Sequence, residues 1–243
     1  MGDWAKMANA KRERILIKLS GEALRGKSED IYDSTFTGKV AAALVECVSR
    51  GCEVAVVVGA GNIWRGRSGE GMDRTEADRM GMLATVINSI YLKDAIVRAG
   101  GSAHVMTSVP MSPFAENYRA EDAVRYLESG SIVIFGGGLG IPFLSTDTAG
   151  AVRAAEIDAD AMLMAKNIDY IYTADPRRDP DAVKLEQIKA SEMLAMNLQA
   201  IDATATAFCL SKGMPIRIFA LNDADALVRA VMGECKGTLV IPE

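Results

Sequence analysis

The chain has 243 residues, 49% of them apolar and 24% charged, with a formal net charge of −5. Those proportions fit a folded globular protein, and the acidic balance argues against a nucleic-acid surface, which needs a basic excess. The single histidine, His104, sits in the strand-like run Ser102-Ala103-His104-Val105-Met106. That sets aside histidine-dependent hydrolases, zinc hydrolases and most histidine general-base mechanisms.

Residues 1–13 are polar and lack a period, so they read as a flexible tail ahead of a single domain spanning 14–243. No secretory signal pattern is visible, and the expectation is a cytoplasmic protein with reduced thiols. Cys47, Cys52, Cys209 and Cys235 show no CxxC pair and no ligand spacing, which predicts packed thiols and no metal site of their own. In chain order, an apolar run at 15–19 is followed by a helical pattern at 35–49, then a run at 54–58 and a helix at 76–99. Runs at 103–106 and 132–135 flank a helix at 120–128. A helix at 148–157 leads to a run at 161–165, and helices at 202–211 and 224–231 flank a run at 216–219. A last run covers 239–241.

The runs are rich in Val, Ile and Met and do not alternate with polar residues, as strands buried on both faces read. Glycines near Gly51, Gly100 and Gly130 mark the ends of the first three helices. The longest apolar stretch, 132–144, holds four glycines and a proline and is too short to span a bilayer. Strand alternating with helix predicts a three-layer α/β/α sandwich with a mostly parallel central sheet. Ligands collect at the carboxyl ends of such strands.

Three runs end in glycine-rich loops: Lys18-Leu19-Ser20-Gly21, Gly59-Ala60-Gly61-Asn62 and Gly136-Gly137-Gly138-Leu139-Gly140. Three bends of this kind at one sheet edge point to a phosphate-rich ligand held by backbone N–H groups. Lys18 interrupts an apolar run, either as a strand-end side chain reaching water or as a cation aimed at phosphates. Asp147 reads as a helix N-cap, or as a holder of Lys18 or of a magnesium ion. Gly21 to Ser28 also matches the GxxxxGK[ST] spacing of a P-loop. However, Glu29-Asp30-Ile31-Tyr32-Asp33 follows without an apolar period, and no later run ends in a Walker B aspartate. The match reads as accidental.

Five blocks carry a resemblance: Lys18-Leu19-Ser20-Gly21-Glu22-Ala23-Leu24; Val58 to Gly66; Met72-Asp73-Arg74 leading to Asp78-Arg79-Met80-Gly81-Met82-Leu83-Ala84-Thr85; Pro142 to Asp147; and Tyr172-Thr173-Ala174-Asp175-Pro176. In this order they resemble the bacterial UMP kinases of the amino acid kinase superfamily, over about residues 14–240. The resemblance implies ATP and UMP as substrates, with Mg²⁺ accompanying ATP, a homohexamer, GTP activation and UTP inhibition. It implies that Lys18, Leu19, Ser20, Gly21 and Gly61 cradle the ATP phosphates beside Arg65. Lys166, Tyr172 and Asp175 complete the ATP side. UMP is expected against Ala60, Asp78 and the loop Leu139, Gly140, Ile141, Pro142, Phe143, Leu144, Ser145 and Thr146. Lys18, Asp147, Arg65 and Asp202 form the expected catalytic group.

The chain departs from the family pattern in four places. Ala60 stands where a glycine is usual. Leu139 and Ile141 stand where a threonine and an asparagine are usual. The second lysine of the site fits Lys166 only with a shifted register. The segment from Glu29 to Asp33 replaces the glycine-containing stretch linked to GTP control. A nucleotide sensor on the same scaffold, or a kinase with a carboxylate acceptor, stays open as an alternative at this stage.

Overall fold

The computed structural model describes residues 13–26, 29–64 and 71–243. The expected tail at 1–13 lies outside these except for Glu13. Nine strands form one sheet. They are β1 (Arg14–Leu19), β2 (Glu53–Val58), β3 (Ala103–Thr107), β4 (Glu116–Asn117), β5 (Ile132–Gly136), β6 (Ala161–Lys166), β9 (Gln187–Lys189), β10 (Ile216–Ala220) and β11 (Thr238–Ile241). A separate two-stranded ribbon joins β7 (Ile171–Tyr172) to β8 (Lys184–Leu185).

The sheet order is β4-β3-β5-β2-β1-β6-β10-β11-β9, and every pairing is parallel except β10 with β11. All six residues of β1 and of β2 are buried, which is why their sequences run apolar without alternation. The chain steps from β1 to β2 on one side and places β6 on the other. β1 therefore sits where the strand order reverses, the position that opens a crevice at the carboxyl ends of an α/β sheet.

Side chains along β1 alternate between two cores. Ile15, Ile17 and Leu19 enter the layer formed with α2 (Ser34–Ser49), α3 (Arg74–Arg98) and α8 (Asp225–Val231). Leu16 enters the opposite layer, formed with α4 (Ala120–Glu128), α5 (Thr146–Glu156), α6 (Ala190–Ala195) and α7 (Ala203–Lys212). By the same period Lys18 faces the α5 layer. The helix-ending glycines Gly51, Gly100 and Gly130 take φ values of +94°, +86° and +84°, the left-handed conformation a helix stop needs.

The sequence pattern misses the shortest elements. A one-turn helix, α1 (Glu22–Arg25), follows Gly21 directly. The two-residue strands β4, β7 and β8, and the pair β9–α6, also escape, because such short segments show too little of a period to be read. α3 is long and apolar enough to cross a membrane by length and composition. Its Ala84, Leu92, Ala95 and Ile96 are buried, and it lies against β3, β5 and α2.

The thiols of Cys47 and Cys209 are pushed up to about 12 by burial, as expected of packed cysteines. The His104 ring stacks on Tyr126 at 3.6 Å, with Nδ1 2.9 Å from Glu116 Oε1, which makes it part of the β3–β4 edge.

Candidate active site

Lys18 lies at the carboxyl end of β1 and Lys166 at the carboxyl end of the neighbouring β6. Between them stands Asp147 in the first turn of α5. Lys18 Nζ is 2.8 Å from Asp147 Oδ1, and Lys166 Nζ is 2.9 Å from Asp147 Oδ2. Lys166 also donates to the Ala200 carbonyl at 2.5 Å. The three side chains are largely buried, and one carboxylate bridges two ammonium groups at the crevice, with the Asp202 carboxylate behind it. Burial alone would push the Asp147 carboxyl up. The two ammonium groups outweigh that and hold it below the usual carboxylate range. Burial, together with the nearby Lys18 charge, pulls Lys166 below the usual lysine range against the opposing pull of Asp147 and Asp202.

Asp147 is free for this role because it does not cap its own helix. Ser145 is the N-cap of α5, and its hydroxyl accepts from the Asp147 and Thr148 N–H groups at 3.0 and 3.2 Å. The Ser145 hydroxyl in turn donates to Asp202, as does that of Thr148, which lies 3.0 Å from Asp202 Oδ1. Asp202 itself caps α7 by accepting from Ala205 N–H at 2.8 Å. One carboxylate thus ties together the amino ends of two helices, which makes Asp202 a positioning residue behind Asp147.

The first two glycine loops interlock. A Cβ at Gly21 would stand 2.4 Å from Asn62 Oδ1, 2.6 Å from Gly61 N and 2.8 Å from Gly59 O, so only glycine allows this approach. Beneath them Asn88 of α3 is fully buried. Its Nδ2 donates to Gly59 O at 2.7 Å and to Asn62 Oδ1 at 2.8 Å. Its Oδ1 accepts from Asn62 Nδ2 and from the Tyr32 hydroxyl. Every hydrogen-bonding position of the amide is used. Asn88→Ala should therefore cost about 2–4 kcal/mol of stability by denaturant unfolding, since it removes the bonds that Asn88 makes to the Gly59 carbonyl, Asn62 Oδ1 and the Tyr32 hydroxyl, while Asn62 Nδ2 keeps the Ile31 carbonyl. A loss under about 1 kcal/mol would show that the loops hold themselves.

Among the described residues, the P-loop spacing does not form an anion-wrapping loop. Glu22–Arg25 is a helical turn and not an anion-wrapping bend, and α2 starts only at Ser34. Lys27 and Ser28 lie outside the described residues, as does Arg65.

Two openings flank the Lys18–Asp147–Lys166 cluster. One is a cavity on the side of Ser145 and Thr146, lined also by Ala60, Trp64, Arg74, Asp78, Met82, Thr85, Gly138, Ile141, Phe143 and Leu144. Within it Asp78 accepts from Arg74 Nε at 2.9 Å and from Phe143 N–H at 2.9 Å. The other is a long cleft on the side of Lys166. Its inner part is lined by Ser20, Glu22, Gly26, Lys39, Lys166 and Asn222. Its outer part is lined by residues 167–177, which include Tyr172 and Asp175, and by residues 196–200. Asn167 and Asn222 border both parts, so the two adjoin. An Arg177 hydrogen bond holds the Asp175 carboxyl below its usual range. Among the described residues no three His, Cys, Asp or Glu side chains gather as a metal cage.

The amino acid kinase family model matches residues 13–220. The chain belongs to the amino acid kinase family. Among solved structures it is similar to the UMP kinase of Bacillus anthracis, at 36% identity and a TM-score of 0.91, with 96% of this chain and 97% of that one covered. It is similar to the UMP kinase of Ureaplasma parvum at 33% identity and a TM-score of 0.89, covering 95% and 99%. The uridylate kinase of Archaeoglobus fulgidus follows at 25% identity and a TM-score of 0.71, covering 93% and 99%.

In this amino acid kinase the expected residues divide by location. Lys18, Lys166, Asp147, Ser145 and Asp202 come together at the centre. Ser20, Gly21, Ala60 and Gly61 lie in the interlocked loops, while Leu19 ends β1 with its side chain in the core and its carbonyl accepting from Gly59 N–H. Asp78, Ile141, Phe143, Leu144 and Thr146 line the cavity, while Leu139, Gly140 and Pro142 belong to the same loop but not to the lining. Sequence reasoning assigned no role to Trp64, Arg74, Met82 or Thr85, which also line it. The signal was there in part: positions 74, 78, 82 and 85 repeat at helical spacing on one face of α3. It becomes readable only once the helix start at Arg74 is known.

Proposed function

We propose that this amino acid kinase transfers the γ-phosphoryl group of ATP to the phosphate of UMP, giving UDP and ADP, in the cytoplasm. The observation that carries the reading is the carboxylate of Asp147 holding two lysines at the junction of two clefts. The similarity to two UMP kinases above 30% identity over nearly the whole chain supports UMP as the acceptor. ATP occupies the cleft of Asn167, Tyr172, Asp175 and Asn222, with its phosphates toward Ser20, Gly21, Gly61, Lys18 and Lys166. Arg65 is a further proposed phosphate contact. UMP occupies the cavity from Ala60 to Thr146, with Asp78 facing its nucleoside.

A nucleoside monophosphate is largely dianionic at neutral pH and needs no base to become a nucleophile. One of its oxygens forms the new bond to the γ-phosphorus while the β–γ bridging P–O bond breaks and ADP leaves. The barrier is the meeting of two polyanions. Lys18 and Lys166 supply fixed positive charge, and Asp147 sets their positions in advance, so little reorganisation is needed as charge moves. Asp147 is the carboxylate that would help hold a Mg²⁺ ion accompanying ATP, and the ion would supply further charge neutralisation.

The deciding experiment is an ATP-consumption assay offering UMP, CMP, aspartate and N-acetylglutamate. Turnover of UMP is expected. Turnover of a carboxylate instead would place the chain in another branch, and turnover of none would favour a nucleotide sensor. Adding GTP or UTP to the same assay tests the proposed activation and inhibition.

A homohexamer is also part of this reading. Met80, Leu83, Ile87 and Ile90 are 40–52% exposed along one face of α3, an apolar stripe suited to a second copy. The double variant Leu83→Glu, Ile87→Glu should lower the mass measured by light scattering. An unchanged mass would remove that face from the assembly.

A further inference from the structure

We propose that Ser108 and Arg153 are positioning residues that set the shape of the acceptor loop, an inference that rests on the acceptor cavity assigned above. The loop Gly137-Gly138-Leu139-Gly140 cannot hold its own shape. Gly137, Gly138 and Gly140 take φ values of +77°, +56° and +77°, and the only backbone bond within the turn runs from Gly140 N–H to Gly137 O at 3.0 Å, among the described residues. Two hydroxyl groups from outside clamp it. Thr85 Oγ1 accepts from Gly137 N–H at 2.8 Å, and Ser108 Oγ donates to Gly138 O at 2.6 Å.

The direction of the second clamp follows from chemistry. Arg153 Nη2 lies 2.8 Å from Ser108 Oγ, and a guanidinium group can only donate. Ser108 must therefore accept from Arg153, and its single hydrogen is left for the Gly138 carbonyl. The charged donor also polarises the hydroxyl and strengthens the bond it makes. Arg153 is 6% exposed, ion-paired to Glu156 and stacked 3.7 Å from the centre of the Tyr118 ring, so it has one place to be. The Tyr118 hydroxyl closes the arrangement on Glu156 at 2.7 Å. Ser108 also backs the turn sterically, since a Cβ at Gly140 would approach its Cβ to 3.3 Å.

Arg153 and Asp147 ride on the same helix, α5. One rigid element therefore holds the lysine-bridging carboxylate at its first turn and, farther along, the arginine that sets the acceptor loop. Gly138 lines the acceptor cavity and takes no part in the ATP cleft. The clamp should therefore act on the acceptor and leave ATP alone.

The test compares wild type, Ser108→Ala and Ser108→Thr as full chains, by steady-state kinetics and by calorimetric binding of UMP and of a non-hydrolysable ATP analogue. Ser108→Ala should raise the KM and the Kd for UMP roughly tenfold, the size expected for a lost charge-assisted hydrogen bond. It should leave kcat and the ATP analogue's Kd within about twofold. Ser108→Thr keeps the hydroxyl and should recover most of the UMP affinity. Arg153→Met should move the UMP constants in the same direction as Ser108→Ala. An unchanged UMP Kd in Ser108→Ala, or equal losses for UMP and the ATP analogue, would overturn the positioning role. A wild-type chain that binds no UMP would instead overturn the acceptor assignment, and this inference with it.

Discussion

Lys18→Ala should lower kcat by about 10²–10³, the usual loss when one preorganised charge is removed from a developing anion. The fold should survive the change. Asp147 keeps Lys166 as a partner at 2.9 Å, so the variant leaves no buried charge alone, and a stability loss of about 1–2 kcal/mol is expected. Lys18→Arg should not restore the rate. The Lys18 side chain is only 10% exposed between β1 and α5, and a planar guanidinium group neither fits the space of an ammonium nor directs its donors the same way. Lys27→Ala should be mild, because the P-loop spacing that singles it out overlies a helical turn. Single-turnover phosphoryl transfer, with unfolding curves recorded alongside, separates chemistry from stability. Full activity in Lys18→Ala, with collapse in Lys27→Ala, would overturn the site.

Asp147→Asn should be worse on both counts. It leaves two buried ammonium groups facing a neutral amide, and uncompensated buried charge costs about 3–5 kcal/mol. It also releases both lysines from their set positions, so kcat should fall at least as far as in Lys18→Ala. The pH dependence has a definite sign. The Asp147 carboxyl titrates below its ordinary value of 3.8 in the folded protein. Its stabilisation is therefore present above that value and is lost as pH falls through the folded-state value. The stability gap between wild type and Asp147→Asn should be steady from about pH 5 to 8 and should narrow below about pH 4. Lys166, already pulled below the ordinary lysine value of 10.5 by burial, loses its upward support in the variant and should shed its proton at lower pH. The gap should then narrow on the alkaline side as well. A gap independent of pH in guanidinium unfolding would mean that the pairs seen in the structure do not carry stability.

The sequence and the structure agree most closely where a residue's environment is written into its neighbours. Strands buried on both faces must be apolar throughout, so β1, β2, β5 and β6 announce themselves. Lys18 stands out because a charge inside such a run needs a reason. The glycine loops are readable because a backbone that must approach another backbone excludes every side chain, as at Gly21. Tyr172 is readable only through a motif, since the strand that holds it is two residues long, too short to show a period.

By itself, then, the amino-acid sequence determined the layered architecture, the sheet edge that carries the glycine loops, and the lysine at its centre. Each of these follows from local constraints on burial, backbone conformation and charge. Only the tertiary structure decided which charges meet. Nothing in the chain around Asp147 says that Ser145 would take the helix cap and leave both carboxylate oxygens to Lys18 and Lys166. Nor does anything near Asn88, Ser108 or Arg153 reveal the loops they hold. Hydrogen bonds and ion pairs between distant segments depend on positions set by the packing of whole helices on the sheet. Packing on that scale leaves no period in the residues that make the contact.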